Sequence, residues 1–585
     1  MQKIWSLESI YPSFESESFK RDILTLENLV TELNTQSETL EDVPSLEQFV
    51  ATMEKTDQLY LRLYGYASLT FATDTGHEEA LKTQNKLQKI NSESAQSEAK
   101  LMSFLSKIPD FEAFIEPSNF LKNFAFILSE KKKLAEHMLS EKEEILAAKL
   151  SITGSKSWNT LQQKLTSSLK GTMVKDGEPV NLPITVIRNF AYDASPEVRK
   201  SAYDAELSAY ENIAEAIAMS LNSIKGEVLT LSEMRGYTSP LEMTLEKSRM
   251  SKATLDAMLT AMEESMSGFH KYLNQKSKLM GHENGLPFYD LFAPVGKFSK
   301  NYTYEEGCKF VVDNFRNFSD KLADVALHAM ENGWIDVEPR SGKRSGAFCS
   351  SQHMIGEFRV LLNYTGNLGD VTTLAHELGH GYHATCINKE SVLNAQYSMP
   401  LAETASIFCE TIVNQAALKI ATKDEAITIL ENSLQDATQV ICDIYSRFLF
   451  ESKLFEIRDD HPLSVNELNE IMTNAQKTAY GNGLDHKTLH PYMWLIKPHY
   501  YYAIQNFYNF PYAFGLLFAK GLYAKYLDAP AFFKTKYDEL LAASGKHSIV
   551  DVCKIMDIDV EHVDFWRASL AIIQKDIELF IELTE

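Results

Sequence analysis

The feature that most constrains the fold of this chain is a helical repeat of apolar side chains. Between residues 252 and 280 apolar positions recur every three or four residues, which places them on one face of a long helix ending near Gly281. These positions are Leu255, Met258, Leu259, Met262, Met266, Phe269, Tyr272 and Leu273. The C-terminal segment repeats the pattern with Leu570, Ile573, Ile577 and Phe580. Such stripes predict buried helix faces, so we expect a mostly α fold built from many helices.

A further helix is predicted over residues 127–150. This segment is rich in Lys and Glu and carries Leu134 and Met138 one turn apart, which is typical of a surface helix with a narrow buried stripe. A turn cluster at residues 193–196 separates two helical regions. We therefore expect an N-terminal helical region of residues 1–195 and a second domain of residues 196–585.

Strand signals are few. The best is the segment 357–364, where alternate apolar side chains fall on one face of an extended chain. A turn-rich stretch, residues 341–347, precedes it. The turn dipeptide Asp176-Gly177, with short apolar runs on either side, predicts a small hairpin. The sequence thus indicates a small amount of β-structure within a helical protein.

The composition is that of an acidic globular protein. Of the 585 residues, 44% are hydrophobic and 23% are charged, which argues against an intrinsically disordered chain. The 80 acidic and 57 basic side chains give a formal charge of −23, and this charge repels phosphate backbones and anionic lipids. We therefore expect neither a nucleic-acid partner nor a membrane partner.

The cysteines and the N-terminal segment indicate the compartment. The six cysteines are too dilute for a disulfide scaffold and include no C-x-x-C pair, so we expect reduced thiols. The N-terminal segment lacks the apolar run of a secretory signal, and no apolar run approaches the roughly 18 residues that cross a bilayer. The expected location is the cytoplasm.

The motif with the most specific chemistry is His376-Glu377-Leu378-Gly379-His380. Residues four apart on a helix have Cβ atoms about 5–6 Å apart, so both imidazoles can reach one tetrahedral Zn²⁺. Glu377, one step round the helix, can reach a water on the same metal as a general base. Chance would produce this motif in about 0.03 of chains with this histidine content. We therefore predict one Zn²⁺ per chain.

The sequence around the motif fits a catalytic arrangement. The predicted strand and a short turn, residues 365–369, lead into Asp370, which we expect to cap the helix that carries the two histidines. The motif then begins on the second helical turn, directly after an extended segment. Such a segment can pair with the backbone of a bound peptide.

A third metal ligand is required, and several residues are candidates. Cys386 stands six residues after His380, where some zinc peptidases carry a third histidine, and His383 is offset by about 60° from His380. Pro400 and its neighbours indicate the start of a new helix, which would point Glu403 toward the first helix. We expect Glu403 to be the third ligand. Glu410, on the same face, either holds a ligand histidine or is a solvated residue.

An aromatic cluster follows near the C-terminus of the second domain. Residues 497–512 contain His499, Tyr501, Tyr508 and Tyr512. A phenol or an imidazole N–H aimed at a developing oxyanion lowers the barrier to peptide hydrolysis by several kcal/mol. These side chains can supply such donors. The alternatives are an aromatic core or the wall of a peptide-binding cleft.

Taken together, these segments resemble the thimet oligopeptidase-like family of zinc metallopeptidases, and within it the oligoendopeptidase F group. The resemblance covers most of residues 200–580, with a weaker similarity in the N-terminal helices. It is carried by residues 343–349, 362–366, 370–383, 403–406 with Glu410, 499–515, Ile558-Asp559 and Phe565-Trp566.

The resemblance implies a role for each matching residue. It implies zinc held by His376, His380 and Glu403, with water activated by Glu377. It further implies that His499 and a following tyrosine stabilise the tetrahedral intermediate, and that the segment Gly346-Ala347 lines the substrate cleft. The tyrosine of the thimet-type relatives falls near Phe510 here, so we expect the donor to be Tyr508, Tyr501 or Tyr512 instead.

The resemblance also implies a fold and an activity. It implies a helical body with a deep channel that admits short unstructured peptides, and residues 196–585 as the catalytic domain. The expected enzyme is a zinc metalloendopeptidase that hydrolyses internal bonds of oligopeptides. Two alternatives stay open: a carboxy-terminal dipeptidase of similar fold, which needs a cationic residue to hold the terminal carboxylate, and a non-catalytic peptide-binding protein.

Overall fold

The chain divides into two compact units, each assembled from three segments. The structure is a computed structural model that describes residues 2–296 and 301–585. The first unit comprises residues 1–138, 299–417 and 525–558, and the second comprises residues 139–298, 418–524 and 559–585. The boundary expected near residue 195 lies within the second unit, and the division into an N-terminal region and a catalytic domain stays a prediction.

Helices dominate both units, as the apolar stripes predict. The α-helices of the described residues are α1 (Glu17–Ser37), α2 (Val43–Thr73), α3 (Glu78–Ser92), α4 (Ala95–Ser106), α5 (Phe111–Ile115), α6 (Asn119–Lys122), α7 (Ala125–Glu136), α8 (Glu141–Thr153), α9 (Ser155–Ser168), α10 (Ile184–Asn189), α11 (Pro196–Glu211), α12 (Ala214–Met234), α13 (Pro240–Lys247), α14 (Lys252–Leu279), α15 (Tyr304–Phe318), α16 (Asp320–Glu331), α17 (Leu368–Ile387), α18 (Met399–Ala402), α19 (Thr404–Ile420), α20 (Lys423–Thr438), α21 (Ile444–Asp460), α22 (Val465–Tyr480), α23 (Met493–Ile496), α24 (Phe510–Asp528), α25 (Pro530–Ala543), α26 (Ile549–Lys554) and α27 (Val563–Thr584).

The two apolar stripes identified in the sequence pack against each other in the second unit. The first stripe forms α14 and the second forms α27, and the two helices are in contact along their length. The rings of Tyr272 and Phe580 meet edge to face with centroids 5.4 Å apart. The predicted helix at residues 252–280 and its end near Gly281, which has a φ of 81°, are both confirmed.

The strands form two small sheets. In the second unit β1 (Lys170–Lys175) and β2 (Glu178–Pro183) make the predicted hairpin, and its turn residues Asp176 and Gly177 both have positive φ. In the first unit β3 (Ile335–Asp336), β4 (Phe348–Gln352) and β5 (Glu357–Leu361) form a sheet in the order β3-β5-β4. β3 is parallel to β5, whereas β4 is antiparallel to it and lies at the edge.

Two sequence predictions differ from the structure. The helix predicted over residues 127–150 is broken, because Ser140 and Glu143 form a capping box that starts α8 anew after α7 has ended. The predicted strand 357–364 ends at Leu361. It is the central strand, with Phe358 against α17 and Leu361 in the core of the N-terminal helices, so both faces are buried.

The remaining sequence expectations concern the cysteines and the apolar runs. All six cysteines are free thiols, as expected, and all but Cys349 are buried. None of the helices in the described ranges combines the length and the hydropathy needed to span a membrane.

In the first unit, α17 and the start of α19 approach each other closely at Gly379. A Cβ atom at this position would lie 2.5 Å from the carbonyl oxygen of Ala405 and 2.7 Å from the Cα atom of Ser406. Both contacts are with backbone, so no side-chain rotation can relieve them. The absence of a side chain at Gly379 therefore sets the distance between these two helices.

We predict that Gly379→Ala destabilises the protein by forcing α17 and α19 apart. Overpacking of this kind costs about 1–3 kcal/mol, so the Tm of the purified variant should fall. The matched control is Gly65→Ala in α2, where the new Cβ atom meets only the side-chain amide of Gln352, which can rotate away. The control should be neutral or stabilising, since Ala favours a helix over Gly by about 1 kcal/mol. An unchanged Tm for Gly379→Ala would contradict the assigned packing.

Candidate metal centre

Helix α17 carries the two histidines of the motif, and its start differs from the prediction. The helix is capped by Asn367 rather than Asp370. Asp370 is the third helical residue, and its Oδ2 atom accepts hydrogen bonds from the backbone N–H groups of Thr365 and Gly366, each at 2.8 Å. Asp370 thus fixes the turn between β5 and α17. Among the described residues the Asp370 carboxylate hydrogen-bonds to that turn and not to the histidines.

Glu403 lies at a junction between two helices. The short helix α18 begins after Ser398 with Pro400 in its first turn, as the sequence indicates, and it ends one residue before Glu403. α19 starts at Thr404, one residue after Glu403. The carboxylate therefore projects from a helix boundary and not from within a helix. The Ser406 hydroxyl donates to Glu403 Oε2 at 2.7 Å and holds it in place.

The side chains of His376, His380 and Glu403 converge. Glu403 Oε2 lies 3.3 Å from His376 Nε2 and 3.4 Å from His380 Nε2. One donor atom from each of the three residues lies within 4.8 Å of the others, which makes this group a candidate metal site. The sequence prediction placed the same three residues together.

The donor set fits zinc in both geometry and chemistry. Ligand atoms at about 2.0–2.1 Å from a tetrahedral ion are separated from each other by about 3.3–3.4 Å. The two distances to Glu403 have these values. Two imidazoles and one carboxylate are also the protein ligands of many catalytic zinc sites, in which a fourth position stays open.

Glu410 contacts the far side of a histidine ring. Its Oε2 atom lies 3.2 Å from His376 Nδ1. Glu410 belongs to α19 and stands seven residues after Glu403. A hydrogen bond at Nδ1 leaves the lone pair of Nε2 free to bind a metal. Of the two sequence-based interpretations of Glu410, the geometry favours support of a ligand histidine over a solvated residue.

The electrostatics of the cluster favour positive charge at its centre. Burial lowers the pKa of His376, but hydrogen bonds to Glu403 and Glu410 outweigh it and raise this pKa to about 10. Burial opposes ionisation of Glu403, yet its contacts with His376 and His380 lower its pKa to about 2. The negative charges of Glu403 and Glu410 stabilise a proton on His376, and they stabilise a divalent cation bound beside His376 for the same electrostatic reason.

Glu377 differs from the other carboxylates in lacking a partner. Its side chain is 6% exposed, and its Oε2 atom has no hydrogen-bond partner among the described residues. Burial, opposed by the charge of His376, raises its pKa to about 7. A buried carboxyl group with this pKa and a free oxygen can exchange a proton near neutral pH.

His383 and Cys386, the other candidates on α17, are engaged elsewhere. His383 is fully buried, its Nε2 atom lies 2.8 Å from the Ser544 hydroxyl, and its ring stacks on Tyr397 with centroids 4.3 Å apart. Cys386 lies 3.8 Å from Lys321 Nζ. The sequence analysis assigned no role to Tyr397, whose contact with His383 depends on how the segment after α17 packs. It also assigned no individual role to Ser406, which stands three residues after Glu403.

The predicted peptide-binding segment precedes an edge strand. Gly346 has a φ of 81°, and its carbonyl oxygen accepts a hydrogen bond of 2.8 Å from Asn363. Ala347 leads directly into β4, which pairs with β5 on one side only. No strand of the described part of the chain pairs with the other edge of β4, so its backbone groups can pair with an extended peptide.

The predicted oxyanion donors belong to the second unit. His499 lies in a 3₁₀ turn, Pro498–Tyr501, is 6% exposed, and has no hydrogen-bond partner for Nε2 among the described residues. Burial and the positive charges of Arg447 and Lys497 lower its pKa to about 2, so its ring is neutral. Its ring stacks on Tyr508 with centroids 5.9 Å apart.

The three candidate tyrosines have different environments. The Tyr501 hydroxyl is buried and donates to the Trp494 carbonyl oxygen at 3.1 Å, which makes Tyr501 a poor candidate for an oxyanion donor. The hydroxyls of Tyr508 and Tyr512 lie 2.9 Å apart, and this contact is exposed. Of the three tyrosines, Tyr508 alone stacks on His499.

A buried ion pair supports the loop that carries Tyr508. Lys225 Nζ donates to Glu451 Oε1 at 2.7 Å and to Asn506 Oδ1 at 2.9 Å, and all three side chains are buried. Glu451 also accepts a hydrogen bond of 3.0 Å from the backbone N–H of Phe507, whose φ is 52°. The sequence analysis missed this network, because Lys225 and Glu451 are more than 200 positions apart in the sequence.

Comparison with known proteins identifies the family. The sequence profile described as "Peptidase family M3" matches residues 189–572, and the profile described as "Oligopeptidase F" matches residues 108–170. The chain belongs to peptidase family M3. The metal cluster of the first unit and the segment around His499 both lie within the residues matched by the M3 profile.

Individual relatives agree with membership of family M3. An oligoendopeptidase F homolog from Lactococcus lactis subsp. lactis is 26% identical, with 99% of this chain and 97% of that protein covered. A crystal structure from Chlamydophila abortus matches with a TM-score of 0.88 at 23% identity, covering 99% of this chain and 98% of that one. Oligoendopeptidase-F from Enterococcus faecium matches with a TM-score of 0.71 at 18% identity, covering 97% and 99%. The two structures support the predicted helical fold.

Proposed function

We propose that the protein is a zinc metalloendopeptidase that hydrolyses internal bonds of short oligopeptides. The observation that carries the proposal is the convergence of His376, His380 and Glu403 at distances suited to one tetrahedral ion. Membership of family M3 and the similarity to proteins named oligoendopeptidase F support the reaction class. The expectation of a non-catalytic binding protein is disfavoured, because the ligands and the general base are all present.

In this proposal two imidazoles and one carboxylate hold the metal. His376 Nε2, His380 Nε2 and Glu403 Oε2 are the ligand atoms, and Glu410 orients His376 through Nδ1. Bound zinc supplies a Lewis acid that polarises the scissile carbonyl group and lowers the pKa of the attacking water. The remaining steps depend on the side chains around it.

Glu377 acts as the general base. Its unpartnered Oε2 atom accepts a proton from the attacking water, and the pKa near 7 allows the same carboxyl group to return that proton to the leaving amine. The position of Glu377 next to His376 on a rigid helix keeps the base beside the ligands throughout the reaction. One side chain thus serves as base and then as acid.

His499 and Tyr508 supply donors to the oxyanion. A neutral imidazole protonated at Nε2 donates a hydrogen bond without adding a full charge to the site, and the Nε2 atom of His499 has no competing partner among the described residues. Tyr508 stacks on that ring, so the two donors are fixed relative to each other. Tyr512, bonded to Tyr508, contributes to peptide binding.

The substrate is an extended peptide in this account. The free edge of β4, with Gly346 and Ala347 before it, binds the peptide backbone through strand pairing. Strand pairing requires a segment without its own secondary structure, so short unstructured peptides fit and folded proteins do not.

We predict that Glu377→Gln abolishes peptidase activity without removing the metal. The amide cannot accept the proton, so kcat should fall by about 10²–10⁴-fold, while the metal ligands are unchanged. Activity is measured on a fluorogenic oligopeptide, and zinc content is measured by mass spectrometry after dialysis. Glu41→Gln, an exposed substitution, is the control and should retain full activity. Substantial turnover by Glu377→Gln would reject Glu377 as the base.

We predict a graded loss of zinc affinity at the two glutamates. Glu403→Ala removes a ligand and should weaken zinc binding most, whereas Glu410→Gln only loosens the orientation of His376 and should weaken it by about 10–100-fold. Competition with a chromophoric chelator measures both affinities. Zinc binding by Glu403→Ala as tight as that of the wild type would place the third ligand elsewhere.

If the protein is an endopeptidase, the rate of cleavage should not depend on whether the substrate has a free carboxyl terminus. A peptide and its C-terminal amide should be cleaved at the same internal bond with similar kcat/KM, since an endopeptidase does not need the terminal carboxylate. Mass spectrometry of the products identifies the bond. Cleavage of the free acid alone, with release of a C-terminal dipeptide, would favour the alternative of a carboxy-terminal dipeptidase.

A further inference from the structure

The second unit contains a cavity that the proposed reaction does not use. Its volume is about 470 Å³, within the range of small-molecule binding sites. Its wall comes from segments far apart in the sequence, around α10, α11, α23 and the residues that join α20 to α21. Every residue that lines it belongs to the second unit, whereas the candidate zinc ligands belong to the first.

Most charges in the cavity wall are paired. Arg199 Nε donates to Asp290 Oδ1 at 2.7 Å, and Arg188 Nε lies 3.1 Å from Glu206 Oε1. Asp443, the remaining anion of the wall, is paired with Arg447. Each carboxylate that faces or adjoins the cavity is therefore already engaged by an arginine.

Lys497 is the exception. Its Nζ atom forms no hydrogen bond and no ion pair with any described residue, although the side chain is partly buried in the cavity wall. Burial and the charge of Arg447 lower its pKa to about 8, and at neutral pH most of the population still carries a proton. Asp443 and Glu206 act on this ammonium group only without direct contact, and both are already paired with arginines. A partly buried ammonium group with no direct ion pair is unfavourable, and an anion entering the cavity reduces that cost.

Two further features of the wall are typical of binding sites. His490 is 1% exposed, and its Nδ1 atom has no hydrogen-bond partner among the described residues. Residues Gln439–Asp443 form a π-helical turn between α20 and α21, and Gln439 and Asp443 both line the cavity. π-turns inside α-helices occur frequently at functional sites.

The rest of the lining combines the polar side chains of Thr185 and Asn189 and several tyrosines with a group of purely apolar side chains. Ile187, Leu291, Phe292, Met493 and Ile496 surround the polar groups. A small inorganic anion would leave these side chains without a contact, whereas a carboxylate joined to an apolar group would satisfy both parts of the wall. The unpaired Lys497 and the apolar side chains of the wall therefore favour an amphipathic ligand with one negative charge.

We propose that this cavity binds the free carboxylate of an apolar amino acid or peptide end, with the Lys497 ammonium group as its counter-ion and the apolar wall around its side chain. The ligand is thus chemically a C-terminal residue, either within a short peptide or as a free amino acid. The proposal does not depend on the endopeptidase assignment, because binding at this cavity requires neither zinc nor Glu377.

The test compares N-acetyl-L-phenylalanine with its amide by isothermal titration calorimetry on the full-length protein. The two compounds differ only in the carboxylate, so the acid should bind at least about tenfold more tightly if it pairs with Lys497. The titrations are run on zinc-loaded and on chelator-treated protein, and the preference for the acid should persist without zinc. Titration with Phe-Phe and with L-phenylalanine then distinguishes a peptide end from a free amino acid.

Variants assign the binding to Lys497. Lys497→Met should weaken binding of the acid by about tenfold or more and leave the amide unaffected, while Lys497→Arg should retain the preference. Lys487→Met, an exposed substitution in the preceding segment, is the matched control. Equal binding of the acid and the amide, loss of the preference on chelation, or unchanged binding by Lys497→Met would each overturn the proposal. The comparison of acid with amide needs no variant, so it decides the question even where a substitution impairs folding.

Discussion

The site in the first unit depends on the close approach of α17 to the start of α19. The backbone around Ala405 passes over Gly379, which lies between Glu377 and His380 of the motif. This approach brings the boundary residue Glu403 within 3.3–3.4 Å of two imidazoles. The energetic consequence is a group of three half-buried donors in which the carboxylate favours a cation at the centre. The packing of α17 against α19 therefore determines whether the three ligands can meet at one metal ion.

The sequence predicted the parts of this arrangement that depend on local periodicity. The spacing of His376 and His380 follows from the helical repeat, and helix-start signals placed Glu403 near a new helix. The apolar stripes of α14 and α27 could be predicted for the same reason, because they also follow the helical repeat. Local signals failed where contacts between segments decide. β5 is buried on both faces because α17 covers one face and the N-terminal helices cover the other. Asn367 is the cap of α17, and Asp370 completes that cap from the third helical position while it also accepts hydrogen bonds from the preceding turn.

The second unit contains buried charged side chains whose partners are far apart in the sequence, so their pairing could not be predicted from the sequence. Lys225 and Glu451 meet beneath the loop that carries Tyr508, although they are 226 positions apart. Lys497 stands next to a cavity whose wall is drawn from several segments. One carboxylate, Asp443, is paired with Arg447, and Lys497 has no direct ion pair within residues 2–296 and 301–585. Paired charges such as Lys225 and Glu451 hold a loop in place, and the carboxylate that we propose for the cavity would pair with Lys497.

The central claim is that two imidazoles and one carboxylate bind a single zinc ion, and zinc X-ray absorption spectroscopy tests it most directly. The account predicts nitrogen and oxygen scatterers at about 2.0–2.2 Å, with the multiple-scattering pattern of two imidazoles. Thiolate sulfur is another common zinc ligand in proteins, so sulfur ligation is the relevant alternative. A sulfur scatterer at about 2.3 Å, or a spectrum with no imidazole contribution, would contradict the assigned ligand set.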